Sequence, residues 1–195
     1  MRLIVMISGS GSNLQAILDA VQAGELAAEV ALVVSNRASA YGLERAHKAG
    51  VPTLYFPLKP YKDRGADRTE YDADLAAKLS PYQPDLIVLA GWMHVLSPVF
   101  LDQFPRQVIN LHPALPGMFP GTEGIHESYE AYQRGEVEHG GCMVHYVIPE
   151  IDAGEVIQQA VVPIHPGDTV DDFETRMHQT EHKIIVAAIR TVIDK

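Results

Sequence analysis

A single cysteine, Cys142, stands in the 195 residues. No intramolecular disulfide can form, and cysteine usage gives no sign of an oxidising compartment. Long apolar runs are missing as well. None approaches the ~20 residues that span a bilayer. The apolar opening Leu3 to Ile7 is too short for a signal peptide, and no small-residue cleavage site follows it. Basic residues are the minority charge: 15 Lys and Arg face 25 Asp and Glu, a formal charge of −10. That balance excludes a nucleic-acid or acidic-membrane surface as the main partner. An anionic substrate would need a locally positive site made of backbone amides or a few placed cations. The expectation is a soluble, cytoplasmic protein acting on small molecules. Nothing in the sequence separates a monomer from a homodimer.

What is present is organised as alternating strand and helix signals. Apolar runs at Leu3 to Ile7, Val30 to Val34, Thr53 to Phe56 and Asp85 to Ala90 alternate with helical stretches at Leu14 to Gln22, Tyr41 to Lys48 and Arg68 to Leu79. The near-continuous apolarity of the fourth run suits a strand buried on both faces. Such alternation predicts right-handed βαβ units in an α/β, doubly wound, mostly parallel, Rossmann-like sheet. A Pro- and Lys-containing loop is expected after Phe56. Val108 to Leu111 reads as a fifth strand, followed by a Pro- and Gly-rich loop, PALPGMFPGTEG, and a helix at Ile125 to Gln133. Gly141 to Ile148 and Val156 to Ile164 form an expected antiparallel strand pair. Thr169 or Asp171 caps a long C-terminal helix with a Phe173, Met177, Ile184, Ile185, Ala188 stripe. No linker or repeat interrupts the chain. It reads as one domain over 1–195, with a phosphate-binding half at 1–105 and a catalytic half at 106–195.

The turn ISGSGSNLQ, residues 7–15, joins the first strand to the first helix. Glycines at 9 and 11 let a ligand approach the backbone, the helix N-terminus is partly positive, and Ser10, Ser12 and Asn13 add donors. A dinucleotide fingerprint fails, because Leu14 replaces its third glycine and Ser35-Asn36-Arg37 offers no acid for a ribose. A P-loop fails for want of Gly-Lys-Ser/Thr. A tight turn without ligand is the plainer alternative to a site for a monophosphate-sized anion.

Asn110 and His112 are two apart on the fifth strand and so leave one face at its C-terminal end, where open α/β sheets bind ligands. An amide inside QVINLH is costly unless its hydrogen bonds are made or kept for a reacting group. Asp152, in PEIDAGEV, is the candidate third member: a carboxylate beside His112 would favour its charged form and orient it. An Asp bonding its own turn is the simpler account. Alternation sends Cys142 and His145 to opposite faces, which excludes a Cys–His nucleophile and leaves Cys142 as a small buried hydrophobe. His178-Gln179-Thr180-Glu181-His182 matches an H-x-x-E-H zinc pattern. Only 13 residues follow, with no Glu, His or Cys among them, so no metal is expected. A solvated polar face, or a His178–Glu181 pair holding a hydroxylated ligand, remains.

Taken together, ISGSGSNLQAI, VVSNRASAYGLERA, PDLIVLAGWMHVLSP, INLHPALPG, EHGGCMVHYV and EIDAGEVI resemble, in order and spacing, the folate-dependent glycinamide ribonucleotide formyltransferases. The likeness runs from Arg2 to about Ile189. It implies formyl transfer from 10-formyltetrahydrofolate, a co-substrate, to the amine of glycinamide ribonucleotide in purine biosynthesis, without a metal. It further implies that Gly11, Ser12 and Asn13 hold the substrate phosphate and that Glu181 lies on the ribose side. Arg68, Met93, His94, Val95, Leu96 and Asn110 would line the folate pocket, with Asn110, His112 and Asp152 catalytic. The chain departs from the pattern at His94, where many bacterial members carry Arg, in HPALPG after the fifth strand, and at His178, where others have Gln. The related formyltetrahydrofolate hydrolases usually carry an extra N-terminal domain, and a first strand starting near Arg2 leaves no room for one. A non-catalytic phosphate sensor would ignore the folate.

Overall fold

A computed structural model describes residues 1–194. The chain divides into two compact units, residues 1–109 and residues from 110 onward. The first unit is laid down as β1 (Arg2–Ile7), α1 (Ser12–Gln22), β2 (Glu29–Ser35), α2 (Tyr41–Lys48), β3 (Thr53–Tyr55), α3 (Lys59–Asp63), α4 (Arg68–Leu79), β4 (Leu86–Leu89) and α5 (Pro98–Leu101). β1 pairs in parallel with both β2 and β4, and β2 with β3. Leu3 through Ile7 are completely buried, as a central strand covered on both faces requires. α4 starts at an N-cap, Asp67, whose carboxylate accepts from the backbone N–H of Thr69 and Glu70.

β5 (Val108–His112) begins in the first unit and ends in the second, which continues with α6 (Gly124–Gln133), β6 (His139–Tyr146), β7 (Val156–Pro163) and α7 (Val170–Ile193). β6 and β7 are antiparallel. The hydrogen-bonded strand order is β3-β2-β1-β4-β5-β6-β7. This is a mostly parallel, Rossmann-like sheet with an antiparallel C-terminal pair and a long closing helix. Thr169 caps α7 through a reciprocal box with Asp172. Phe173, Met177, Ile184, Ile185 and Ala188 are buried along it.

Three elements depart from the sequence reading. The segment after Phe56 contains α3, started by Pro60, and SPVFL contains α5; five and four residues are too few to show a helical period. β6 runs His139–Tyr146 rather than Gly141 to Ile148. Its glycines look like strand breakers but answer to packing: a Cβ at Gly140 would lie 2.5 Å from the Phe173 ring, and one at Gly141 would lie 2.6 Å from the Ala160 carbonyl oxygen.

Candidate active site

In the first unit the Gly-rich turn opens α1 with Gly11 as N-cap, at φ 69° and without a side-chain cap. A Cβ at Gly11 would sit 2.6 Å from the Gly42 Cα. This glycine therefore serves both the left-handed turn and the crossing of two backbones, a crossing fixed by the Gly42 N–H to Gly9 carbonyl bond at 3.1 Å. Arg45 braces the turn, donating through Nε to the Ser10 carbonyl at 2.9 Å and through a terminal nitrogen to Gln15 at 3.1 Å. Ser12 and Asn13 form the first turn of α1, where no acidic residue offsets the partial positive charge of the helix end.

The proposed folate residues of this unit form a second group. Arg68 donates to Asp72 at 3.0 Å and to the Val95 carbonyl at 2.5 Å. Asp72, fully buried, accepts from the Ser97 N–H at 2.8 Å. Arg68 thus ties the segment after β4 to α4. At the head of that segment the Met93 N–H donates to the buried Ser8 hydroxyl at 2.9 Å. Leu96 is buried under the segment, while Met93 and Val95 present apolar side chains to solvent, about half exposed. His94 stands edge-on to Trp92 and Tyr71. Burial, then the charges of Arg68 and Lys62, hold its imidazole below the ordinary value, so the ring is neutral near pH 7.

The second unit gathers Asn110, His112 and Asp152 into one cluster. Asn110 Nδ2 donates to Asp152 Oδ1 at 3.1 Å, and His112 Nδ1 lies 3.4 Å from Asp152 Oδ2. His112 is 2% exposed and its Nε2 has no hydrogen-bond partner among the described residues. Two further groups join that the sequence reading does not assign to this cluster, His145 being weighed there only as a partner of Cys142. The Gly121 N–H, in the Pro/Gly loop, donates to Asp152 Oδ2 at 3.0 Å. His145 Nε2 lies 3.4 Å from Asp152 Oδ1 and the same distance from Asn110 Nδ2. Its Nδ1 lies 2.9 Å from the Tyr146 carbonyl, which only accepts, so that nitrogen carries a proton. An imidazole within the buried run MVHYV is the same kind of signal that drew attention to Asn110.

Backbone geometry aims the carboxylate. Asp152 adopts φ 51°, a left-handed conformation that Asp tolerates better than most residues. Two residues on, a Cβ at Gly154 would fall 1.7 Å from the Tyr146 carbonyl oxygen. Only glycine lets the turn lie against the end of β6. Burial alone would raise the Asp152 carboxyl. Hydrogen bonds from His145 and Gly121 and the charges of His112 and His145 outweigh it and hold the group below its ordinary value. Beside it opens a cleft of about 350 Å³ walled by Pro116, Met118, Pro120, Met143, Ile151 and Val156, large enough for part of a flat organic ligand.

Glu181 is buried on α7 and bonded by His178. Cys142, fully buried, has its thiol pushed up to about 12 by burial and by Glu181, which makes it unreactive. Among the described residues no set of three His, Cys, Asp or Glu side chains is placed to hold a metal ion, and no helix is long and apolar enough to cross a membrane.

The family model for formyl transferases matches residues 1–189. The phosphoribosylglycinamide formyltransferase of Schizosaccharomyces pombe is 50% identical, covering 98% of this chain and 96% of its own. The Escherichia coli enzyme of that name is 41% identical over all of this chain and 88% of its own. The crystal structure of glycinamide ribonucleotide transformylase 1 from Symbiobacterium toebii superposes with a TM-score of 0.89 at 45% identity, covering 97% of this chain and 86% of that one. A Rossmann-like sheet ending in an antiparallel pair, an amide–imidazole–carboxylate cluster at the end of β5, and likeness along almost the whole chain lead to one assignment: the protein belongs to the formyl transferase family, among the phosphoribosylglycinamide formyltransferases.

Proposed function

We propose that this chain transfers the formyl group of 10-formyltetrahydrofolate to the amine of N1-(5-phospho-D-ribosyl)glycinamide, with its two units working as a single formyltransferase domain. The observation that carries the mechanism is the state of His112: one ring nitrogen faces Asp152, and the other is buried without a partner among the described residues. A buried, unserved nitrogen is costly unless a reacting group uses it. The neutral amine attacks the formyl carbon. The doubly protonated ring of His112, through Nε2–H, and the second amide N–H of Asn110 donate to the tetrahedral oxyanion. As it collapses, the new carbon–nitrogen bond is kept and the bond to the folate nitrogen breaks. The proton lost by the amine travels by way of Asp152 and water to the leaving nitrogen.

The open first turn of α1, with Gly11, Ser12 and Asn13, is proposed to hold the substrate phosphate. Backbone amides supply there the positive potential that an overall charge of −10 does not. Glu181 is proposed to accept from the ribose hydroxyls. Arg68, Met93, His94, Val95 and Leu96 are proposed to line the folate pocket, where a neutral His94 imidazole can both donate and accept. Cytoplasmic location is proposed with this role, as the one thiol is buried and unpaired. The test is formyl transfer followed by the absorbance of the deformylated folate. Asn110→Ala should lower kcat by about 10²–10³. Because the same amide anchors Asp152, it should also cost about 1–3 kcal/mol of stability. A folded variant within tenfold of the parent kcat would remove Asn110 from the mechanism.

A further inference from the structure

On α7, His178 lies between two carboxylates. Its Nδ1 is 2.8 Å from Glu181 Oε2, three residues on, and its Nε2 is 3.3 Å from Glu174 Oε1, four residues back. An ionised carboxylate only accepts hydrogen bonds, so serving both oxygens takes a proton on each ring nitrogen. The arrangement is that of an imidazolium clamped at both ends. Its two partners differ in depth: Glu181 has 6% of its side chain exposed, whereas Glu174 has 44%. The outer carboxylate orients the ring, and the ring in turn fixes the inner carboxylate.

We propose that His178 is a positioning residue of the ribonucleotide site, a doubly bonded imidazolium that holds the Glu181 carboxylate ready to accept from a sugar diol, so that affinity for the ribonucleotide falls when the ring loses its proton. The proposal rests on the reading of Glu181 as the ligand of the ribose. A carboxylate is suited to a diol because two adjacent hydroxyls can both donate to it. Fixing its rotamer beforehand removes an ordering cost from binding. The charges that chiefly act on His178 are those of Glu181 and Glu174, both on α7 itself rather than on α6, β6 or β7, which pack against it. From β6, Cys142 faces Glu181 with a thiol that stays protonated. The Glu181 hydrogen bond is the main cause holding His178 above its ordinary value of 6.5, so the clamp stays closed where a free imidazole has already lost its proton and opens as pH rises further.

The experiment uses the full chain. Ring-nitrogen NMR of His178 is recorded against pH, and KM is measured against pH for the ribonucleotide and for the folate separately, in the parent and in His178→Gln, Glu174→Gln and Glu181→Gln. The expected result is a His178 ring that titrates above the ordinary imidazole value, with both nitrogens protonated below its titration. The parent KM for the ribonucleotide should rise at least fivefold as pH passes through the ring's titration, without a matching rise for the folate. His178→Gln can still donate one hydrogen bond but cannot titrate. Its KM should be raised yet insensitive to pH in that window, and Glu174→Gln should move the parent's rise to lower pH. Ionisation of the substrate amine affects parent and variant alike, so the difference between their profiles reports the clamp. A ring that titrates at or below its ordinary value, or identical profiles in the parent and His178→Gln, overturns the positioning role. Should Glu181→Gln raise only the folate KM, it is the ribose reading of Glu181 that falls, and the proposal with it.

Discussion

Asp152→Asn is the most informative substitution in this protein because every neighbour of that carboxylate wants an acceptor. Oδ1 receives the Asn110 amide at 3.1 Å and Oδ2 the Gly121 backbone N–H at 3.0 Å. An asparagine there keeps the volume and tolerates φ 51°. Whichever way its amide is turned, its NH₂ meets a donor. One hydrogen bond to a charged group is lost, about 1.5–3 kcal/mol, and the second continues at the strength of a neutral pair. His112 Nδ1 also loses the anion 3.4 Å away. The analogous loss of a carboxylate behind a catalytic imidazole costs about 10⁴ in rate. A fall in kcat of at least ~10³ is expected here, about 4 kcal/mol of transition-state stabilisation. Asp152→Asn combined with Asn110→Asp exchanges donor and acceptor: the amide introduced on the turn accepts from Gly121 and donates to the carboxylate introduced on β5. Chemical denaturation should show the double variant regaining most of the stability lost by either single change. Activity should stay lost, because position 110 no longer carries an oxyanion donor. The pH dependence follows by linkage. The Asp152 carboxyl is depressed in the fold, so its contribution is present above the unfolded value of 3.8 and vanishes as pH falls through the folded one. Asp152→Asn should lack that acid limb. A single variant within tenfold of the parent kcat, or an exchange that restores no stability, refutes the reasoning.

Two further outcomes follow from backbone geometry. Gly154→Ala should lower kcat by tenfold or more while leaving secondary structure intact, since its Cβ would lie 1.7 Å from the Tyr146 carbonyl oxygen and the turn bearing Asp152 must shift; circular dichroism and the transfer assay check it, and parental kinetics would mean the turn has room. Ser12→Asp tests the phosphate cradle better than any change at Gly11, which would collide with Gly42 whatever binds. An acid in the first turn of α1 should stabilise the helix by about 0.3–1 kcal/mol, yet raise the ribonucleotide KM at least tenfold by repelling the phosphate. Equal effects on the two KM values would take the phosphate away from this turn.

The architecture was legible because strand and helix signals in this chain are strong and agree with burial. The run at Leu3 to Ile7 is apolar because both its faces are covered, and Thr169, one of the two expected caps, marks the start of α7 by ordinary side-chain chemistry. What escaped was short or was set by contact. α3 and α5 are too brief for periodicity, and Gly140, left outside the expected strand, looks like a breaker until Phe173 is known to press against it. The site shows the same division. Asn110 and His112 could be paired by their spacing on one strand. Asp152 could be named as a candidate third member from its chemistry, but its place beside His112 could not be read, since no local pattern says where a turn about forty residues away will point.

His145 marks where single-residue reading stops. Alternation along β6 correctly sets it opposite Cys142, but alternation names a face and not what faces it. Its Nδ1 is committed to the Tyr146 carbonyl. That same oxygen is the atom an alanine at position 154 would strike. One carbonyl therefore fixes both the orientation of the imidazole and the approach of the turn that carries Asp152. This coupling accounts for why the glycine, the left-handed aspartate and the histidine occur together. A sequence displays the three residues without displaying the oxygen that relates them.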